Sequence, residues 1–330
     1  MKPIFWMIAG CLCLSVVPAH AWNSFGHMEA AAVAWDKLTP QAKQEATRLL
    51  KLNPQYETWI NAIPAGPRDE VAFVRAATWP DEIKSLSGYV NDGPRNGNVA
   101  PHTPEASQNV GYSDHFRHRY WHFIDEPFST DGTPLQQPVP PNAQTQIAAF
   151  RTTLGDKTAS DDVRSYDLAW LLHLVGDVHQ PLHATSRFTR DEPDGDAGGN
   201  DVKVTCSPPC GDPKELHAFW DDLLGSDKAP ASEAIAAAGD LAPADFGKAA
   251  EADEKAWIKE SFELAEKSVY EAVAVTLVAS GDRDGRVPEL AAAGSTFSRC
   301  GDRRCIFRCV RCCVNHKMRE DKIAPTECIQ

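Results

Sequence analysis

The sequence predicts an all-α fold: a mainly helical single domain with long loops and one small β-hairpin. Three observations carry that prediction. Apolar residues recur at helical spacing in most segments between His27 and Val278. Pro40 follows Thr39, a first-turn signal for a helix start. Only "NDVKVTC" (Asn200 to Cys206) alternates with the period of a strand. The chain has 330 residues, 42 % hydrophobic and 24 % charged, which is ordinary globular composition with enough length for a sizeable core.

In chain order, residues 1–21 read first as a leader. They carry one Lys, an apolar run from Ile4 to Val17, and Ala19-His20-Ala21, an A-x-A cleavage pattern. The run is too short to read as a membrane span. Cleavage after Ala21 makes Trp22 the mature N-terminus and predicts a soluble, secreted or periplasmic protein. The spacing then predicts helices over His27–Leu38, Pro40–Leu50, Arg68–Ala77, Gln144–Thr153 and Asp161–Gln180. Pro213–Leu224, Ala231–Ala238 and Asp245–Val278 complete the helical set. Between them, 86–118 reads as loop, 126–142 as Pro-rich connection, and 185–200 as a polar Asp/Gly loop. No internal repeat is present. The expected organisation is a leader (1–21), a helical catalytic body (22–283) and a Cys-rich basic tail (284–330).

The net charge of −13 excludes a protein that holds nucleic acid by a broad basic face. Any action on phosphates needs local positive charge, which bound metal can supply. Two of the ten cysteines lie in the leader, Cys206 and Cys210 flank a Pro-Pro loop, and six crowd the tail. In an exported protein these predict disulfides, with Cys206 and Cys210 stapling their loop.

The chemistry concentrates in "WLLHLVGDVHQPLH", Trp170 to His183. His173 and Asp177 are four apart and share one helix face, so both can reach one ion. Pro181 clashes with the carbonyl of Asp177, so the helix must bend or end there, which re-aims His183. One segment can thus serve two neighbouring metal positions. An ordinary hydrogen-bonded role explains one buried His well, but not this spacing inside an apolar run. "LHAFWDDLL" repeats the device with His217 and Asp221. "WPDEIK" places Asp81 with Lys84 one turn on, "YWHFID" carries His122 and Asp125, and "WNSFGH" places His27 five residues after Trp22. His179 faces away from the Asp177 side, and His115, His118, His102 and His316 take the plain structural or surface reading.

These fragments together resemble the zinc-dependent single-strand nucleases and 3′-nucleotidases of the nuclease S1/P1 family, distantly related to zinc-dependent bacterial phospholipase C. The carrying residues are "WNSFGH" at Trp22, "WPDEIK" around Asp81, "HFID" from His122, "HLVGDVHQPLH" from His173, "GGNDVKV" from Gly198 and "LHAFWD" from Leu216. They stand in the family's order over residues 22 to about 280. The resemblance implies three zinc ions as cofactor. One is held by Asp81, His122, His173 and Asp177. A second is held by the amine and carbonyl of Trp22, His27, and Asp177 as a bridge. The third is held by His183, His217 and Asp221. It further implies a metal-bridging hydroxide that attacks phosphorus, with Asp81, Lys84 and Asp177 as catalytic residues. Phe123, Asp125 and Asn200 are implied to bind the nucleobase, Phe123 by stacking and the other two by edge hydrogen bonds. A base must leave the duplex to reach such a pocket, so single strands are the expected substrate.

The implied function is an exported phosphodiesterase that cleaves single-stranded DNA and RNA to 5′-nucleotides, with 3′-nucleotidase activity and no obligate protein partner. The alternative on the same scaffold is a phospholipase C, alone or as a second activity on phospholipids. Asp rather than Glu at position 221, with the "HFID" and "GGN" pair, favours the nuclease. A non-enzymatic, metal-stabilised helical protein is the third reading. It gives no reason for a Trp N-terminus or a bridging Asp. Two features depart from the family pattern. The loop 184–197 is long and acidic and borders the base pocket. Its Asp194 and Asp196 read as solvated rather than calcium-binding. The tail reads as a disulfide-stapled appendage, a zinc knuckle or a shifted reading frame, in place of the family's packing helix.

Overall fold

In a computed structural model of the chain, residues 22–101, 104–204, 214–241 and 250–270 are described. The leader, all ten cysteines and the tail lie outside them, as do His102 and His316.

The architecture is mainly helical, as expected. Helices α1 (Ser24–Lys37), α2 (Pro40–Leu50), α3 (Tyr56–Ile60), α4 (Arg68–Ala76) and α5 (Trp79–Glu82) form the first half. Helices α6 (Ala143–Gly155), α7 (Asp161–Val178), α8 (Leu216–Asp221), α9 (Ala231–Gly239) and α10 (Glu254–Leu264) follow. The last continues as a π-helical turn, Ala265–Tyr270. Helix starts follow local chemistry. Thr39 Oγ1 accepts from Ala42 N beside Pro40, and Asn142 with Thr145 closes a capping box on α6. On α7, Ser160 caps Val163 N, and Asp161 and Asp162 face the positive end of the helix dipole.

Helix α7 is the centre of the packing. It contacts α1, α2, α4, α5, α6 and α10. Trp79, Trp121, Tyr166 and Trp170 are essentially fully buried and meet edge-on, with Trp121 and Trp170 5.0 Å apart. Each such ring removes a large apolar area from water, so this cluster fixes α5, α7 and the 119–122 turn against one another. Those are the elements that carry Asp81, His173, Asp177 and His122.

Sheet structure is minor. The strand expected at 200–206 is β3 (Lys203–Val204), paired antiparallel with β4 (Lys214–Glu215). A parallel pair that the sequence did not suggest joins β1 (Pro127–Ser129) to β2 (Ser186–Phe188). Two helix expectations need correction. Of the helix expected over 213–224, the described residues 214–224 are helical only over Leu216–Asp221, because 214–215 are drawn into the ladder with β3. Of the helix expected over Asp245–Val278, residues 245–249 lie outside the described residues, and among the described ones 250–253 are not helical; the helix begins at Glu254, where the Asp253 carboxylate caps Lys255 N. Residues 271–278 lie outside the described residues.

Candidate metal centre

Helix α7 carries two of the converging side chains and then stops, as Pro181 predicts. Its C-cap is His179, and residues Pro181–His183 turn as a short 3₁₀ segment. The turn brings His183 back towards the Asp177 side of the helix, with His183 Nδ1 3.9 Å from Asp177 Oδ1.

Four donor atoms meet around the middle of α7. His173 Nε2 and His122 Nδ1 each lie 3.1 Å from Asp177 Oδ2 and 2.8 Å from one another. Asp81 Oδ1 stands 3.6 Å from His173 Nε2 and 3.7 Å from His122 Nδ1. Donors around one tetrahedral zinc, with bonds of about 2.0–2.2 Å, stand about 3.3–3.6 Å apart, so these spacings fit a single small cation. The other carboxylate oxygen of Asp177 points to a second side: His27 Nε2 is 3.3 Å from Asp177 Oδ1. Neither of these two atoms has a hydrogen-bond partner, although both are buried. A carboxylate with one oxygen towards each set is the geometry of a bridging ligand.

His27 reaches this position because α7 has no side chain at Gly176. A Cβ there would lie 2.7 Å from His27 Nδ1. His27 also stacks on His173, with centroids 3.9 Å apart, and groups with Asp81 and His173 as well as with Asp177. Trp22 folds back over Gly26, whose added Cβ would lie 2.8 Å from Trp22 Cβ. Asn23 secures this segment: its side chain caps Phe25 N and Gly26 N, its amide donates to Gly225 O, and its backbone N donates to Asp221 O. The backbone next to Trp22 is thereby tied between the start of α1 and the end of α8.

A third group forms beside the first two. His183 Nε2 and His217 Nε2 face each other at 2.9 Å, and Asp221 Oδ2 lies 3.7 Å from His217 Nε2. Asp221 Oδ2 is buried without a hydrogen-bond partner.

Backbone carbonyls fix the tautomers. A carbonyl can only accept, so the nitrogen facing it carries the proton. His173 Nδ1 donates to Ala77 O at 2.7 Å, His183 Nδ1 to His122 O at 2.8 Å, and His217 Nδ1 to Gly198 O at 2.7 Å. Each Nε2 is left with its lone pair aimed into the cluster, as metal-ligating histidines are oriented. Electrostatics agrees. Burial pushes His27 down to about 4 and His122 and His217 down to about 3, so these rings are neutral. Burial opposes charge on His173, but the Asp177 and Asp81 carboxylates outweigh it and hold that ring above its ordinary value. Burial also opposes charge on Asp177, yet His173, His122 and His27 hold its carboxyl well below the usual range. Asp221 is driven well above it, chiefly by burial and also by Asp81 and Asp177. The neutral rings of His27, His122 and His217, the Asp177 carboxylate and the orphaned buried oxygens of Asp177 and Asp221 form a donor set that the protein's own hydrogen bonds leave unsatisfied. A cation resolves that deficit.

Lys84 sits inside the same region, 7 % exposed, with Nζ 2.6 Å from Asp81 Oδ1. Phe123 and Asp125 come together at Gly97, whose N donates to Asp125 Oδ2 at 2.8 Å and whose added Cβ would lie 3.1 Å from Phe123 Cε2. Burial pushes the Asp125 carboxyl up to about 7. Asn200 ends the glycine turn that supplies Gly198 O to His217, and its Nδ2 donates to Ala197 O.

Several supporting groups escaped the sequence reading. Gln180 Nε2 donates to Asp221 Oδ1 at 2.7 Å. Asp196 was expected to be solvated and is fully buried. Its Oδ1 accepts from Arg187 N, Gly199 N and Tyr270 Oη, so it holds the glycine turn in shape. Asp194, by contrast, lies at the surface. His118 is buried between Asp92 and Asp114 at 2.8 Å each and stacks on Trp121, a structural role. His179 is exposed and donates to Val175 O.

A family model described as S1/P1 Nuclease matches residues 22–282. No curated protein matches the chain.

Proposed function

Since that match makes the chain a member of the S1/P1 nuclease family, it is a nuclease of the hydrolase class, and we propose that it is an exported three-zinc enzyme cleaving single-stranded DNA and RNA to 5′-nucleotides, with 3′-nucleotidase activity. The single observation that carries the reading is Asp177, buried at the junction of two donor sets with one oxygen towards each. In this reading Asp81, His122, His173 and Asp177 hold one ion, and Trp22, His27 and Asp177 hold the next. His183, His217 and Asp221 hold the third. Zinc suits the set because its donors are imidazole nitrogens and carboxylate oxygens in small groups. When bound, the ions supply Lewis acidity that activates a water for attack on phosphorus and spreads the charge of the leaving oxygen.

The chain's own residues do the rest. Asp81, whose Oδ1 accepts from Lys84 Nζ and stands 3.6 Å from His173 Nε2 and 3.7 Å from His122 Nδ1, orients the attacking water in this reading. The buried Lys84 ammonium adds positive charge where the phosphoryl oxygens gain negative charge. Phe123 supplies a stacking face to the base, Asp125 and Asn200 its edge contacts, and a paired base cannot enter between them. The leader reading of residues 1–21 supports export with cleavage after Ala21. Among the described residues no helix is long and apolar enough to cross a membrane. In the same reading, 22–283 is the catalytic body and 284–330 an appendage. Phospholipid hydrolysis is the second reading, and the Phe123–Asp125 arrangement favours the nucleotide over it.

Phe123→Ala tests the assignment. It removes a stacking face worth ~1–3 kcal/mol per base, so efficiency on single-stranded DNA and on 3′-nucleotides falls about ten- to a hundred-fold. Zinc content stays unchanged, and a phosphodiester without a base, or phosphatidylcholine, loses far less. Equal losses on all substrates would mean that Phe123 only packs beside His122 and would return weight to the phospholipase reading.

A further inference from the structure

We propose that the segment Pro94–Val99 is the third wall of the nucleobase pocket, in which Gly97 sets the fit of the base and Arg95 meets the phosphate of the neighbouring nucleotide. The proposal rests on the base-pocket reading of Phe123, Asp125 and Asn200 given above.

The segment lies within a stretch that the sequence shows only as loop, yet its backbone is tightly committed. Gly97 is buried; its N donates to Asp125 Oδ2 and its O accepts from Val139 N, both at 2.8 Å. An added Cβ at 97 would stand 3.0 Å from Asp125 Oδ2 and 3.1 Å from Phe123 Cε2. Gly93 fixes the entry of the segment in the same way, because a Cβ there would fall 2.2 Å from the Tyr120 ring. The other side of the segment reaches the acidic loop. Asn98 Nδ2 donates to Asp194 O at 3.3 Å and to Gln136 Oε1 at 2.9 Å. Arg95 Nη2 donates to Asp201 Oδ1 at 2.8 Å, one residue after Asn200. Six residues therefore run from the Phe123–Asp125 pair to the Asn200 turn and join the two halves of the pocket.

Two chemical consequences follow. One oxygen of Asp125 is already engaged by the Gly97 amide, so the base is read chiefly by the other oxygen. The segment can lie against the Phe123 edge because residue 97 has no side chain. Arg95 is 63 % exposed at its side chain and pairs with a partly exposed carboxylate, a contact that contributes little to stability. Its guanidinium has five donors in a planar fork, of which Asp201 engages few. On a protein of net charge −13, such a cation at the pocket rim is suited to a phosphodiester oxygen of the bound strand.

The test uses the full-length processed enzyme with a single-stranded oligonucleotide and with an abasic strand of the same length, a phosphodiester without bases. Gly97→Ala should shift the ratio of the two efficiencies against the oligonucleotide by about ten-fold, mainly through KM, with zinc content close to that of the parent. Arg95→Ala should raise KM for the oligonucleotide several-fold at low salt. That difference should close at high salt, and Arg95→Lys should restore much of it. An unchanged ratio in Gly97→Ala, or an Arg95→Ala effect independent of salt, overturns the wall while leaving the nuclease reading intact. A parent enzyme that cleaves the abasic strand and not the oligonucleotide overturns the nuclease reading, and the wall with it.

Discussion

Asp177 is the residue on which the centre turns. It is fully buried, it faces His122 and His173 through one oxygen, and it faces His27 through the other. Asp177→Asn keeps the shape but removes the charge and one ligand oxygen. Two of three zinc ions should be lost or disordered, whereas His183→Ala should disturb chiefly the third. Metal analysis that finds the same loss from both changes would contradict the assignment. Trp22 offers a second test at this scale. In the proposed site its amine is a ligand, and an amide nitrogen in its place is a poor one. Protein retaining Ala21 should lose zinc at the bridged pair and most of its activity. Full activity with that residue retained would sink the role of the N-terminus.

At the scale of elements, α7 shows what the sequence could and could not reveal. The four-residue spacing of His173 and Asp177 and the stop at Pro181 are local properties, readable from helix geometry. The pairing of Pro127 with Ser186, the burial of Asp196 under Tyr270 and the seat of Gly97 on Asp125 join residues far apart in the chain. No periodic pattern marks them. Gly176 lies inside a helix, where glycine costs stability, and its reason, the close approach of His27, needs the second helix in view. The same helix holds a group suited to a pH test away from the metal ligands. Asp167 is fully buried, with Asn109 donating to one oxygen and the other oxygen without a partner. Burial pushes its carboxyl up to about 7. A carboxyl whose folded pKa exceeds its unfolded value of about 3.9 is protonated in the fold between those limits. Its contribution is fully present below about pH 4 and is lost as pH rises towards 7. Asp167→Asn should therefore gain several degrees on the parent between pH 5 and pH 8, at about 2–4 °C per kcal/mol. Melting curves that stay the same distance apart from pH 5 to 8 would show that Asp167 is not the titrating group.

At the scale of the whole molecule, an acidic helical body surrounds a compact cluster of imidazoles, carboxylates and one buried lysine. Such a protein cannot attract nucleic acid by its surface at large, so recognition and positive charge must be local to the cluster. Bound cations meet that need and also satisfy the buried oxygens of Asp177 and Asp221 that the protein itself leaves unpaired. Zinc content of the chain beginning at Trp22, measured alongside hydrolysis of single-stranded DNA before chelation, after chelation and after zinc is restored, tests this most directly. The account predicts three zinc ions per chain, with hydrolysis that disappears on chelation and returns with zinc. A chain that holds one zinc or none, or that cleaves DNA equally well after complete chelation, would contradict it.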